Sequence, residues 1–406
     1  MLNSDPVSYK DGLTGSSILW QVIVLSICRL FINTARRFIY PFAPVLSRGM
    51  GVPLTAITSI IAVNQGTSIL GIVSGPLADR AGYRRMLMAG MAILALAMLV
   101  GGVTSFYWVV FISLVTAGFA KIIYDPAAQA FIGDNVPFNR RSRIVGILEL
   151  SWAGCTLAGI PLIGILMTRF NWHAPFFAIG VLGVAGFVLI WFMMPADTLV
   201  HDFAGSRVST LAKSWVLLAH NRAALGAVGF AFFASLANDN LFVVYGVWME
   251  KTMHLSAEAI GFSTIAIGVA ELSGEIFTVF CSDRIGLKRA VPLGIVLSTL
   301  SYGLIPLAGT RLVFALFALF LIFLFFEYTY VSFMALSTEI MPKSRATIVA
   351  GVYVSGGIGR IFGALMGVPV WDYGGIKAVA SVSVLMSAVG LGLMLWGLGK
   401  TKIRIK

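Results

Sequence analysis

Long apolar runs separated by short polar segments make up nearly the whole chain. A helix that crosses a membrane needs about 20 apolar residues, and runs of that kind occur twelve times. We number the predicted spans 1 to 12 in chain order, at 17–45, 54–78, 86–104, 106–133, 144–168, 174–194, 223–249, 257–281, 290–309, 312–338, 346–370 and 377–399. The pattern predicts an all-α membrane protein with two six-helix bundles, 17–194 and 223–399, joined by a cytoplasmic linker at 195–222.

The composition excludes a soluble protein. Of the 406 residues, 58% are hydrophobic and 11% are charged, and the mean hydropathy is +0.92. A soluble domain carries about 25% charged residues, so lipid must be the solvent for most of this chain. The net charge of +12 does not indicate nucleic acid, because the basic residues lie in short loops and form no continuous patch.

The basic residues predict the orientation in the membrane. With the N-terminus inside, the inside segments hold nineteen lysines and arginines, and the outside loops hold five. This positive-inside bias predicts that both termini are cytoplasmic. No small-residue cleavage site closes the first apolar run, so we interpret it as an uncleaved span and not as a signal peptide.

Two repeats indicate that the halves of the chain are related. The turn Asp79-Arg80-Ala81-Gly82 returns as Asp283-Arg284-Ile285-Gly286, 204 residues later. The segments 134–140 and 339–345 carry an acid, a proline and an arginine at the same spacing, at an offset of 205. Because six spans intervene, the two halves run in the same direction through the membrane, as in transporters built from parallel repeats.

Eleven charged residues fall inside the predicted spans, away from their first and last few residues. Each would cost about 2.5–3.5 kcal/mol at the centre of a lipid-facing helix, so they must face protein or water. Spans 3, 6, 9 and 12 hold none, which predicts that these spans face lipid and that spans 1, 4, 7 and 10 line an aqueous cavity. The eleven residues are Arg29, Arg36, Arg37, Lys121, Asp125, Glu149, Asp239, Glu271, Glu275, Glu327 and Arg360.

Helical spacing predicts contacts among these charges. Lys121 and Asp125 are four residues apart in span 4 and can pair directly. Glu271 and Glu275 are four apart in span 8, where two carboxylates repel and one can take up a proton unless a cation separates them. Proton coupling requires such a carboxylate.

The repeat offset predicts which charges face each other across the pseudo-two-fold axis. It places Asp239 opposite the region of Arg36, and Glu327 opposite Lys121. Arg29 lies in the middle of its span, and its planar guanidinium suits a carboxylate or a phosphate. The predicted substrate-binding or coupling residues are Arg29, Arg36, Lys121, Asp125, Asp239, Glu271, Glu275, Glu327 and Arg360.

Structural roles are the alternative for several of these residues. Lys121 and Asp125 can form a purely structural ion pair. Arg37 and Arg360 can bind backbone carbonyls or a neighbouring acid, and Glu149 can neutralise an arginine. Arg36 can extend to the membrane surface.

Other kinds of site find no support in the sequence. The three cysteines share no spacing, the four histidines lie at helix ends or in loops, and no nucleophile and base form a catalytic group. We therefore expect no enzyme activity, no cofactor and no metal.

At this point the chain resembles the major facilitator superfamily over nearly its whole length. The family signature between helices two and three is glycine-x-leucine-alanine-aspartate-arginine-x-glycine, followed by basic residues. The matching residues are Gly75, Leu77, Ala78, Asp79, Arg80, Gly82, Arg84 and Arg85. A glycine-proline motif common in helix five of drug/proton antiporters is matched only in part, at 159–164, and the arginine often found in helix four is absent from its usual place.

The resemblance implies a cavity lined by helices 1, 4, 7 and 10, and a cytoplasmic latch. In the family, the signature aspartate meets the start of helix eleven, whose dipole favours an anion, and the latch breaks when the halves rock. Asp283 would make the mirror contact near helix five. The implied latch residues are Gly75, Asp79, Arg80, Gly82, Arg84, Arg85, Asp283 and Arg284.

We therefore expect a proton-coupled secondary active transporter in the inner membrane of a prokaryote. Its cargo is expected to be a small polar or anionic organic solute moved by alternating access. Expected partners are this solute, protons and membrane lipid, with no nucleic acid, and the chain is expected to be a monomer. The alternatives are a proton-driven antiporter for efflux of drugs or metabolites and, in another class, a non-transporting membrane sensor.

Overall fold

The computed structural model describes residues 15–68, 82–136, 138–195, 218–341 and 345–399, and its regular elements there are all helical. Numbered by predicted span, the helices are Gly15–Arg37 (span 1), Ala43–Met50 and Leu54–Thr67 (span 2), Tyr83–Val103 (span 3), Tyr107–Asn135 (span 4), Phe138–Gly154, Cys155–Gly159 and Ile160–Arg169 (span 5), Ala174–Met193 (span 6), Arg222–Phe242 and Tyr245–Lys251 (span 7), Ala257–Ile285 (span 8), Leu287–Leu304 (span 9), Leu312–Ile340 (span 10) and Arg345–Leu398 (spans 11 and 12).

The number of membrane helices agrees with the prediction. Ten helices in the described ranges are long and apolar enough to cross a membrane, and a bent pair supplies an eleventh. The 54-residue element Arg345–Leu398 would be about 80 Å long, more than twice the hydrocarbon thickness. It breaks at Gly374 and Gly375, where φ of Gly375 is 60°, a conformation that glycine adopts readily. It therefore holds two spans, which confirms the all-α fold of twelve spans.

The predicted extent of span 1, 17–45, is wrong at its end. The helix stops at Arg37, a turn follows, and a short helix begins at Ala43. Pro41 and Pro44 explain the interruption, because proline disfavours helical backbone at the residue before it. Ala43–Met50 then bends by 117° into Leu54–Thr67 of span 2.

Span 7 is interrupted at the corresponding position, although it contains no proline. Its first helix stops at Phe242, 205 residues after Arg37, and a short helix begins at Tyr245. The ring of Tyr40 stacks on Phe242 with a centroid distance of 4.6 Å. The two breaks therefore meet, and each is held by packing against the other half.

The halves approach closely at the end of the bundle where the odd-numbered spans finish, which we call the closed end. There Gly164 of span 5 faces Gly261 of span 8, and a Cβ on Gly164 would come within 2.9 Å of the Ala257 carbonyl oxygen. Gly246 of span 7 lies against the Pro41 carbonyl. Only glycine allows these backbones to approach so closely. In the predicted orientation the closed end faces the outside.

Among the charged side chains inside the spans, the Arg37–Glu271 pair near the closed end is almost fully buried, whereas two acids farther from that end are partly exposed. Arg37 and Glu271, near that end, have 6% and 3% of their side chains exposed. Asp125 has 22% exposed, and Glu149 has 39%. This difference indicates that the space between the halves is sealed at the closed end and opens toward the opposite end.

Candidate functional site

The first group of buried charges lies within the N-terminal half. The Arg29 guanidinium contacts Asp125 at 3.1 Å and Glu149 at 2.8 Å, and it also donates to the Leu148 carbonyl. The Lys121 ammonium lies 2.8 Å from the other oxygen of Asp125. Asp125 is therefore shared by two cations, and the predicted pairing of Lys121 with Asp125 is present.

Asn33 links this group to span 5. Its side-chain oxygen accepts a 2.7 Å hydrogen bond from Lys121, and its amide nitrogen donates to Ser151 at 3.4 Å. Spans 1, 4 and 5 thus share one network with two positive and two negative charges. The charges of this group balance one another. Moving or removing any one of them leaves another buried charge without a partner, which is costly, so the group resists rearrangement.

The second group joins the two halves. Arg37 of span 1 binds Glu271 of span 8 through two hydrogen bonds, of 2.8 and 3.2 Å. The hydroxyl of Thr156, in span 5, accepts from Arg37 at 2.8 Å and lies 3.1 Å from Glu271. The Arg37 guanidinium also lies 4.4 Å from the centroid of the Trp152 ring. Arg37 is therefore the counter-ion of Glu271, but it makes no described contact with Glu275, so the alternative of a cation between the two carboxylates is not observed.

The third group is a chain of hydrogen bonds that also crosses between the halves. Arg36 donates to Gln65 at 2.8 Å, Gln65 donates to the Tyr40 hydroxyl at 2.6 Å, and Tyr40 donates to Asp239 at 2.8 Å. Arg360 lies 3.8 Å from the other oxygen of Asp239. Arg36 is buried in this chain and does not extend to the membrane surface.

The contacts predicted from the repeat offset occur only in part. Arg36 and Asp239 belong to one chain of hydrogen bonds, but Tyr40 and Gln65 stand between them. No contact joins Lys121 to Glu327 in the described part of the structure. Lys121 instead binds groups in its own half, because Asp125 and a neighbouring amide already surround its ammonium.

Two of the predicted acids differ from all the others. Glu275 and Glu327 have no hydrogen bond or ion pair with any described residue. They lie on two helices that pack closely, because a Cβ on Gly274 of span 8 would come within 2.8 Å of the Glu327 Cβ of span 10. The charges of Glu271 and Glu275 act on Glu327.

Among the described residues, no group of histidine, cysteine or acidic side chains is arranged to hold a metal ion.

Charge balance points to the same two residues. The spans hold five bases and six acids. Arg29, Arg37, Lys121 and Arg360 each have a carboxylate partner, and Arg36 is bound only by amide oxygens. The interior therefore becomes neutral when a single acid is protonated, and the two acids without a cation are the groups available for it.

The sequence did not single out several polar residues of these networks. Tyr40, Gln65, Trp152 and Thr156 carry no charge, so the count of buried charges could not find them. Gln65 follows Asn64 in an otherwise apolar run of span 2, which is a weak signal for a buried polar site.

The predicted cytoplasmic latch is described only in part. Gly75, Asp79 and Arg80 lie outside the described residues, as does the side chain of Asp283. Gly82 and Gly286, 204 residues apart, have φ of 91° and 82° and stand before spans 3 and 9. This left-handed conformation explains why glycine recurs in both turns.

The basic residues of the turns lie at the ends of the helices. Arg84 donates to the Trp191 carbonyl and lies 5.1 Å from the centre of that ring, so it holds the end of span 6. Arg85 and Arg284 are exposed. The role of all these residues as a latch stays a prediction.

Comparison with known proteins settles the family. The family model of the Major Facilitator Superfamily matches residues 25–237 and 227–405. This chain belongs to the major facilitator superfamily. The two matches cover nearly the whole sequence, and a multi-pass membrane transporter fold follows from them.

Relatives and solved structures of the superfamily resemble the chain at low identity. The uncharacterized transporter YceJ of Bacillus subtilis (strain 168) is 21% identical over 59% of this chain. The class C tetracycline resistance protein of Escherichia coli is 26% identical over 58% of it. The chain spans 61% and 60% of the lengths of these two relatives.

A solved structure confirms the superfamily fold over almost the entire chain. The nucleoside transporter NupG superposes with a TM-score of 0.76, over 94% of this chain and 99% of its own. The identity is 14%, so the likeness concerns the fold alone.

Proposed function

We propose that this protein is a secondary active transporter that moves a small polar organic solute by alternating access, with protons as the coupling ion. The observation that supports the proposal is the pair of carboxylates, Glu275 and Glu327, that lie inside the membrane without a cation partner in the described residues. An ionised carboxylate in a low-dielectric interior is costly unless it is paired. Proton binding removes that cost, so these are the groups most suited to exchange a proton.

The buried arginines bear on the charge of the solute. The sequence predicts a polar or an anionic solute, held by arginines of span 1 and polar groups of span 7. Arg29 and Arg37 already bind carboxylates of the protein, and an anion could bind them only by displacing Asp125, Glu149 or Glu271. We therefore propose a polar solute in general and treat the anion as one case that the experiment separates.

Proton-driven efflux of a drug or metabolite is the second candidate function. The unpartnered carboxylates favour it, because they could bind either a proton or a cationic solute but not both together. Such competition is what a proton antiporter needs. A tetracycline resistance protein among the relatives supports the same candidate.

The membrane arrangement is also proposed. We propose a location in the inner membrane of a prokaryote with both termini cytoplasmic, which the distribution of basic residues supports. A monomer suffices, because a complete pair of six-helix halves is present in one chain.

Transport in proteoliposomes tests the proposal. The purified protein would be reconstituted and a pH gradient of either sign imposed, while uptake of organic anions, neutral polar solutes and cationic dyes is followed. We expect one class to move faster when the gradient is present, with an accompanying proton flux that a pH-sensitive dye reports. A solute that moves at the same rate without a gradient, and without proton flux, would overturn proton coupling.

Variants of Arg29 separate the solute classes. Arg29→Ala abolishes transport of an anion if the anion binds this guanidinium. Loss of dye transport with retained anion transport would rule out binding of the anion by Arg29 and favour efflux. If no class moves under any gradient while the protein remains folded, the non-transporting sensor replaces the proposed function.

A further inference from the structure

Arg37 and Glu271 form an ion pair that belongs to neither half alone. Arg37 ends the helix of span 1, and Glu271 lies in span 8. Their two hydrogen bonds, of 2.8 and 3.2 Å, are parallel, as in the strongest arginine–carboxylate pairs. Both side chains are almost fully buried. The pair therefore persists only while the halves stay together at the closed end.

The backbone of span 5 is shaped to complete this pair. Cys155–Gly159 is a π-helical turn, in which the Ile160 amide donates to the Cys155 carbonyl. In a regular helix that amide would donate to Thr156, whose carbonyl instead accepts a 3.0 Å hydrogen bond from Thr264 of the other half. The Thr156 hydroxyl meanwhile contacts both Arg37 and Glu271. One residue thus offers two groups across the interface.

Other charges surround the pair unevenly. On the side of the C-terminal half, Glu275 lies one turn along span 8 and Glu327 lies on span 10, and neither has a cation partner in the described residues. We call Glu271, Glu275 and Glu327 the acidic cluster. The charged and titratable groups in electrostatic reach of Arg37 or the acidic cluster from the remaining packed elements are Cys155 and Glu149 of span 5, Asp239 of span 7 and Arg360 of span 11.

Separating the halves at the closed end changes which charges surround Glu271. Arg37 would stay with Thr156 and Trp152 in the N-terminal half. Glu271 would stay in the C-terminal half as a third carboxylate beside two others, with no cation of its own. Like charges this close favour protonation of one member.

We propose that the Arg37–Glu271 pair couples opening of the closed end to proton uptake by the acidic cluster. This inference rests on the proposed function, because it assigns the step at which protons enter the transport cycle. Glu271 is then a coupling residue and not the resting proton site. In the predicted orientation the closed end faces outward, so the proton is taken up from the outer solution.

Distances between spin labels at the closed end test the coupling. Phe170→Cys at the end of span 5 and Lys251→Cys at the end of span 7 place labels on exposed positions of the two halves. Cys281→Ala removes the half-buried native thiol, whereas Cys28 and Cys155 are buried and can stay. With the full-length protein in nanodiscs, we expect that a larger fraction of molecules shows a long distance between the two labels as the pH is lowered. We call this fraction the long-distance population.

Two variants of Glu271 test the pair directly. Glu271→Gln leaves Arg37 without a counter-ion in the closed form, so the long-distance population is already large at neutral pH. The pH midpoint of its remaining change moves by about one unit or more, because the facing charge is lost. Glu271→Asp keeps the charge and restores much of the wild-type profile.

The matched control is another ion pair between the halves. Arg48 contacts Glu250 at 2.6 Å, but 62% of the Arg48 side chain is exposed. Arg48→Gln should leave the pH profile of the label distances unchanged, since an exposed pair contributes little.

Two results would overturn the inference. One is a wild-type label distance that does not respond to pH, and the other is a Glu271→Gln profile that matches that of Arg48→Gln. The measurement needs neither solute nor transport, so its failure is distinct from failure of the proposed function. If the protein transports a solute but its closed end does not open as a function of pH, only the coupling role of this pair is ruled out.

Discussion

The hydroxyl of Tyr40 donates a 2.8 Å hydrogen bond to the carboxylate of Asp239, and so joins the break after span 1 to the end of the first helix of span 7. The same oxygen accepts a 2.6 Å hydrogen bond from Gln65 of span 2. The Tyr40 ring lies on Phe242. One side chain therefore fixes three spans from both halves at the closed end.

Tyr40→Phe is expected to weaken this end while keeping the ring contact with Phe242. Asp239 would retain only the 3.8 Å approach of Arg360, and the Gln65 amide would lose its acceptor. A buried polar group left unsatisfied costs about 1–3 kcal/mol. We expect a lower melting temperature in detergent and a larger open population in the label experiment.

The control for this variant is Tyr373→Phe, which removes a hydroxyl from a side chain that is 92% exposed. It should leave the melting temperature unchanged. Equal melting temperatures for Tyr40→Phe and the wild type would contradict the bridging role of Tyr40.

The helices were predictable because the membrane imposes their length. An apolar run must supply about 20 residues to cross the hydrocarbon layer, so each predicted span matches a helix in the described ranges. The interruptions were harder to predict. Prolines near Arg37 give a local reason for the first break, whereas the break after Phe242 has no local cause and depends on packing against Tyr40.

The candidate site was predictable only where contacts are local. Lys121 and Asp125 lie four residues apart on one helix, so their pairing follows from helix geometry. The pairing of Arg37 with Glu271 depends on how spans 1 and 8 are rotated and tilted, which no spacing in the sequence encodes. Arg37 was accordingly among the buried charges but not among the predicted site residues.

Asp125→Asn is expected to destabilise the N-terminal half more than Glu149→Gln does. Asp125 neutralises both Arg29 and Lys121, whereas Glu149 contacts Arg29 alone and is 39% exposed. Breaking a buried pair costs about 3–5 kcal/mol, and solvent reduces the loss at Glu149. Thermal unfolding of the two variants in the same detergent measures the difference.

Removing a cation should rescue the first of these variants. Lys121→Met added to Asp125→Asn restores equal numbers of positive and negative charges in the group. We expect part of the lost melting temperature to return. A double variant less stable than Asp125→Asn alone would show that Lys121 does not depend on Asp125.

Glu275→Gln and Glu327→Gln are expected to uncouple transport from the pH gradient. Each amide mimics a protonated carboxylate that can no longer release its proton. Transport driven by a pH gradient should therefore fall strongly, while exchange of labelled for unlabelled solute at equal pH continues. Both rates can be followed in the same proteoliposomes.

Asp372→Asn serves as the control for the glutamate variants, because Asp372 is an exposed acid at the end of span 11. It should leave both rates unchanged. If both glutamate variants keep full gradient-driven transport, the coupling proton binds elsewhere, and proton coupling loses its structural support.

Gly246→Ala is expected to stop the halves from closing at the closed end. A Cβ at this position would collide with the Pro41 carbonyl, which is backbone and cannot move aside by changing rotamer. Overpacking of this kind costs about 1–3 kcal/mol, and the cost falls only on the state in which the halves touch. The long-distance population in the label experiment should therefore rise, and transport should slow because one of the two alternating states is disfavoured. Gly303→Ala in span 9 is the matched control, since a Cβ there meets nothing within 4 Å. Unchanged label distances in Gly246→Ala, with the melting temperature of the wild type, would show that the contact between the two broken spans does not hold the end closed.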